Sequence, residues 1–220
     1  MNGLKGLTSA LLMGLMVFSI SGCSGNFIET GVAETISNSV TIPKQYSIVY
    51  EVETADGTIF TVEKTKAGEG NIYYKSREKE QLFLAEGTSY VLYEKDEAGI
   101  FVASNQGITY NEDYVTSATA DFIELTEKSK EKFMPGMKSD GEQEKSGRTC
   151  LIYSVSVGTS STAVTYTLAV DKETGICLGW DETKKVVGND MAADKDTFTC
   201  TQFLIEDIPS LEQLADKSVN

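Results

Sequence analysis

Serine and lysine stand three residues apart at Ser76–Lys79 and again at Ser129–Lys132, the spacing by which a lysine amine can take the proton of a serine nucleophile in acyl-enzyme chemistry. The companion motifs that complete such a site are absent, and a chain this rich in both residue types repeats the spacing without function. Three acidic pairs, Glu51 with Glu53, Asp140 with Glu142 and Asp171 with Glu173, offer acid-base work or calcium ligation. No Asp-x-Asp-x-Asp-Gly loop accompanies them, and solvated strand faces and turns account for all three. Histidine is missing from the whole sequence, which removes the Ser-His-Asp and Cys-His nucleophile systems and imidazole-rich metal sites together. No catalytic residue, metal site or cofactor is therefore expected, and an envelope hydrolase would need a buried lysine within hydrogen-bond reach of a serine.

The four cysteines are Cys23, Cys150, Cys177 and Cys200, with no Cys-x-x-Cys pair, so a zinc or redox centre is not indicated. Cys177 and Cys200 fall on strands expected to be neighbours and form the expected disulfide, with Cys150 left as a buried thiol. Cys150 lies two strands from Cys177, so a bridge between them needs a curved sheet. The formal charge of −14 repels nucleic acid and anionic headgroups alike.

The elements that would carry these residues are mostly strands. Tyr46, Ile48, Tyr50 and Val52 alternate with Ser47, Val49, Glu51 and Glu53, the period of a strand with one strongly apolar face. Asp56-Gly57 supplies a hairpin turn, after which Phe60 and Val62 continue the alternation. Further short strands follow at 72–76, 81–85, 89–94 and 99–104, an antiparallel meander by its spacing and turn signals. Composition from Ser117 to Phe133 predicts a helix ending at Pro135-Gly136, with Phe122, Ile123, Leu125 and Phe133 as its buried positions. Lys138–Gly147 reads as a charged loop. A second meander covers 148–158, 162–170, 176–182 and 197–206, its central turn being Asp171-Lys172-Glu173-Thr174-Gly175. Leu82-Phe83-Leu84 and Ile100-Phe101-Val102 are apolar on both faces, which requires a sheet covered by helices or curved around a cavity. Tyr46, Ile48, Tyr50, Phe60, Tyr74 and Tyr90 are the side chains that would line such a concavity, or fill it as plain core.

Residues 1–22 carry one charge, Lys5, then an apolar run from Leu7 to Ile20 and the sequence Ser21-Gly22-Cys23. The run is shorter than the roughly 20 residues that span a bilayer, and its three parts are those of an export signal. Ile20-Ser21-Gly22-Cys23 resembles the lipobox of bacterial lipoproteins. That resemblance implies a diacylglyceryl group on the Cys23 thiol and cleavage before it, giving an exported chain held to the cell membrane; a tether and single anchor fit a monomer, though an exposed edge strand could dimerise. An ordinary secretory leader is the alternative. Loss of Lys5 with the leader takes the charge from −14 to −15. Residues 23–42 then form the lipidated cysteine and a tether, 43–209 a single domain, and 210–220 a polar tail in which Ser210 and Gln213 have capping-box spacing.

Tyr166-Thr167-Leu168-Ala169-Val170-Asp171-Lys172-Glu173-Thr174-Gly175-Ile176-Cys177-Leu178, fed by Gly147–Tyr153 and closed by Thr199–Ile205, resembles the strand, acidic turn and strand of the LolA/LolB-like superfamily of exported lipoproteins. The likeness extends more loosely over 45–207. It implies a mainly β (α+β) fold, a curved antiparallel sheet forming an open half-barrel with a few covering helices. It implies also a non-enzymatic protein that binds a lipid, an acyl chain or a lipidated peptide in the concave face, which would bury acyl surface at about 25 cal/mol per Å2. The alternative is a protein-interaction or sensory module at the cell envelope. A continuous apolar pocket would favour the first and a filled core the second.

Overall fold

The computed structural model describes residues 42–68, 70–104, 108–119, 124, 138–158, 162–186 and 194–215. Cys23, the tether as far as residue 41, the Ser129–Lys132 pair and the positions Phe122, Ile123, Leu125 and Phe133 lie outside them.

The two meanders are realised as one antiparallel sheet. Strands β1 (Tyr46–Glu53), β2 (Ile59–Ala67), β3 (Asn71–Lys75), β4 (Glu80–Glu86), β5 (Ser89–Lys95) and β6 (Phe101–Ala103) follow one another outward. Strands β7 (Lys138–Lys145), β8 (Arg148–Gly158), β9 (Thr162–Asp171), β10 (Cys177–Val186) and β11 (Asp194–Leu204) return inward, so the order is β6-β5-β4-β3-β2-β1-β11-β10-β9-β8-β7. The halves join where β1 pairs with β11, and the sheet does not close into a barrel. Gly57 takes φ +78° in the β1–β2 turn, the left-handed geometry that a side chain resists, and Asp56 accepts from Thr58 N at 3.0 Å to fix it.

Bulges between Val49 and Tyr50, Cys177 and Gly179, and Ser139 and Glu142 bend the ladder. The bend is strong at one corner. Ser146, in the β7–β8 turn, donates to the Cys200 carbonyl on β11 at 2.8 Å, and the Arg148 guanidinium sits 5.6 Å from the Phe203 ring centre. In a flat sheet β8 and β11 would be about 14 Å apart, three strand spacings.

Register explains why β3 to β5 are apolar on both faces. Ile72, Phe83 and Leu92 share the inner face with Tyr74 and pack against Val115 of α1 (Glu112–Ala118). Leu82, Leu84 and Tyr93 point outward and pack with Phe101, Ile208, Leu211 and Ala215. A helix thus covers one side and the C-terminal segment the other, each buried Leu or Phe contributing about 1.5–3 kcal/mol.

Three expectations need correction. Most of the span expected as a helix, Ser117–Phe133, lies outside the described residues; within it Glu124 forms a strand bridge, and a helix that was not expected precedes it at Glu112–Ala118, with Asn111 Oδ1 accepting from Tyr114 N at 2.9 Å as its cap. Lys138–Lys145 is no loop but the edge strand β7, recruited through the tight Ser146-Gly147 turn to β8; its charges suit an edge that must not pair further. At the C-terminus a single 3-10 turn, Glu212–Leu214, starts from Leu211 without a side-chain cap, and Leu211 is buried.

Candidate functional site

β1 presents Tyr46, Ile48, Tyr50 and Val52 to the inner face, opposite Lys66, Lys64, Val62 and Phe60 of β2, and Tyr74 follows Lys64 on β3. The same face on β5 carries Tyr90. All six residues picked out for the concavity therefore share one face. Tyr46, Ile48 and Tyr50 are 0% exposed and Tyr74 3%, and they pack into one cluster with Phe198, Leu178, Ile176 and the partly buried Phe60. Tyr90 belongs to the neighbouring cluster under α1.

This apolar face holds a charged group that periodicity gave no sign of. Lys64, 2% exposed, lies on β2 between Ile48 and Tyr74 in register. Glu124 is set over it: its backbone forms an isolated antiparallel bridge with Ile176, and its Oε1 accepts from Tyr46 Oη at 2.6 Å and faces Lys66 Nζ at 3.5 Å and Lys64 Nζ at 3.9 Å. Burial by itself would raise the Glu124 carboxyl, but the Lys64 and Lys66 charges and the Tyr46 hydrogen bond outweigh it and hold the group below its usual value. Burial, then Glu124, push Tyr46 well above the ordinary phenol range. Tyr50, raised chiefly by burial, donates its hydroxyl to the Cys177 carbonyl. The chain from Tyr110, bridged to Tyr90 on β5, to Glu124, bridged to Ile176 beside β10, thus joins the two halves of the sheet.

Cys150, Cys177 and Cys200 are buried free thiols. The expected neighbours Cys177 and Cys200 do lie on paired strands, but Gly179 faces Thr199 and a bulge follows at Leu178, so the two are not directly opposed. Their Sγ atoms donate instead to Gly179 O at 3.0 Å and Gln202 O at 3.4 Å.

A cleft of about 390 Å3 opens at the curled corner, lined by Glu142, Gly147, Arg148, Thr149, Asp171, Lys172 and Glu173. Arg148 reaches Asp171 Oδ2 at 3.0 Å and Glu173 Oε2 at 2.7 Å, while Lys172 meets Glu142 at 2.5 Å. Asp171, 1% exposed, also accepts from Thr174 N at 3.1 Å. These pairs fasten the β7–β8 hairpin to the β9–β10 turn, which is what the Asp171/Glu173 spacing serves. The Lys79 amine of the first Ser-x-x-Lys pair donates to Ala118 O at 2.5 Å, capping α1, and lies 5.1 Å from the Tyr74 ring centre. Ser76 N donates to the Lys79 carbonyl at 2.8 Å.

No family model matches the chain, and no curated protein matches it. Solved structures do share its outline. MucB of Pseudomonas aeruginosa, in a complex with MucA, is 13% identical over 78% of this chain and 55% of its own, with a TM-score of 0.44. The lipoprotein LppX of Mycobacterium tuberculosis is 10% identical over 77% of this chain and 89% of its own, TM-score 0.34. A LolA superfamily protein of Nitrosomonas europaea is 10% identical over 83% and 94%, TM-score 0.28. The chain spans little more than half the length of the MucB it matches. The structural neighbours include a LolA superfamily protein and mycobacterial lipoproteins, all at low sequence identity.

Proposed function

We propose that this chain is a non-enzymatic docking module, exported and held to the cell membrane by a lipid on Cys23, whose folded domain engages a protein partner. The observation that carries this is the filled inner face: Tyr46, Ile48 and Tyr50 have no exposed surface and Tyr74 has 3%, and the cleft at the curled corner is lined by charged and polar groups. A lipid carrier needs apolar surface to offer its ligand. Here that surface is already spent on the core. The Lys79 amine is likewise engaged with a backbone carbonyl rather than with Ser76, which supports the non-enzymatic part.

The second reading, a binder of a lipid or lipidated peptide, has one observation in its favour. The apolar row under Glu124 is met by a polar clasp of Tyr46, Lys64 and Lys66, and such a clasp holds less tightly than a hydrophobic plug of the same size. Mass spectrometry of organic extracts from the purified chain separates the two. The docking reading expects no noncovalent lipid near stoichiometry, before or after incubation with native membranes; a stoichiometric acyl species would refute it and identify the cargo class.

A further inference from the structure

Two large apolar side chains stand exposed where the chain enters α1. Ile108 is 49% exposed and Tyr114 47%, and the Tyr110 and Tyr114 rings stack with centres 4.5 Å apart. The platform is held at several points. Tyr110 exchanges two backbone hydrogen bonds of 2.8 Å with Tyr90 and sets its ring edge-on to Phe83 at 6.3 Å. Asn111 caps the helix that carries Tyr114, and Val115 roots that helix in the inner-face core. Glu112 and Asp113, both exposed, stand between the two tyrosines in sequence.

We infer that Ile108, Tyr110 and Tyr114, fenced by Glu112 and Asp113, form the docking surface for a basic segment of a partner protein that carries an aliphatic or aromatic anchor. This rests on the docking reading above and gives it a place and a chemistry. Tyrosines already held in position contribute contact area at little entropic cost, and they recur among residues that dominate binding. The acidic fence and the net charge of −14 select and steer a cationic partner and repel an anionic lipid surface.

The test uses the full chain, purified in mild detergent, and fluorescent peptides of equal length read by polarisation. One peptide flanks a Trp-Leu anchor with Lys and Arg, a second with Gln, a third with Glu, and a fourth keeps the basic flanks without the anchor. The basic anchored peptide should bind most tightly and weaken as salt rises. Tyr114→Ala and Ile108→Ala should each cost about tenfold in its affinity, Glu112→Lys should invert the order of basic and acidic peptides, and Ile59→Ala, at a more exposed site on β2, should change nothing. Matching thermal melts show that the variants are folded. If the basic peptide binds but Tyr114→Ala and Ile108→Ala leave it unchanged, this site is overturned while docking stands. If no peptide binds and the chain instead sediments with phosphatidylcholine vesicles through Tyr114, both fall.

Discussion

Replacing Glu124 with glutamine would test whether the clasp over the inner face holds the fold. Gln keeps the length of the side chain and an acceptor for Tyr46 Oη, so the change removes charge alone. At 3.9 Å from Lys64, a unit charge is worth about 4 kcal/mol at an effective dielectric of 20. Lys66, 24% exposed, is better screened and adds little. Some of the loss returns as water or a shifted proton relieves Lys64, leaving an expected destabilisation of about 2–3 kcal/mol. For a chain of this size that corresponds to about 5–10 °C in Tm. Urea unfolding at pH 7, followed by Trp180 fluorescence, reads the free energy directly. The double variant Lys64→Met with Glu124→Gln should cost about 2 kcal/mol less than the sum of the singles, since it removes both members of the buried pair and leaves neither charge unmatched. Glu124 is held below its usual value in the folded chain, so its contribution is complete above the unfolded carboxylate pKa and fades as pH falls through the folded one; the gap between wild type and Glu124→Gln should close in acid. A single-variant cost below about 0.5 kcal/mol, or strict additivity in the cycle, would refute the reasoning.

Arg148→Ala strips a cation from Asp171, 1% exposed, and should cost about 2 kcal/mol by denaturant unfolding; an unchanged midpoint would mean the curled corner holds without it. Leu211→Ala should cost about 2–3 kcal/mol, because Leu211 closes the outer cluster, whereas a frayed tail would show almost no effect. Burial pushes the Cys150 thiol up to about 11 and Cys177 to about 12, so a thiol reagent at pH 8 should find Cys150, Cys177 and Cys200 unreactive until urea is added. A disulfide-linked peptide between any two would contradict the free-thiol arrangement. Asp56, fixed by Thr54 and Thr58, is lowered to about 2, and its carboxyl resonance should titrate there rather than near 4; its turn is firmest above its unfolded pKa and loosens as pH falls through that lower value.

The strands were legible because each carries its own signal. Tyr46, Ile48, Tyr50 and Val52 announce a half-buried strand by period alone, and Asp56-Gly57 and the Asp171–Gly175 turn fix where the chain reverses. That Leu82-Phe83-Leu84 must be covered on both faces was also readable, though not what covers it. What escaped is set by partners distant in sequence. Lys138–Lys145 has the composition of a loop and becomes a strand because β8 offers it a ladder across a two-residue turn. Asn111-Glu112-Asp113 held a cap and acidic first-turn signal for α1, but the short helix it starts, Glu112–Ala118, has too few apolar positions to show a period. Glu124 had no signal at all. One glutamate among many becomes the clasp only because Tyr46, Lys64 and Lys66, at least 58 residues away, converge on it.

The seam between β1 and β11 has a consequence for how such a chain reaches its native state. Val49 pairs with Gln202, so a chain emerging N-terminus first completes β1 to β6 long before the strand that covers the inner flank of β1 exists. Until then β1 is an unsatisfied edge with Tyr46, Ile48 and Tyr50 beside it, a template for pairing with another molecule. Contacts this distant in sequence are formed slowly. The interval between making the first strand and the last is therefore when this protein is most exposed to aggregation, and a chaperone that shields Tyr46–Glu53 would be of most use then.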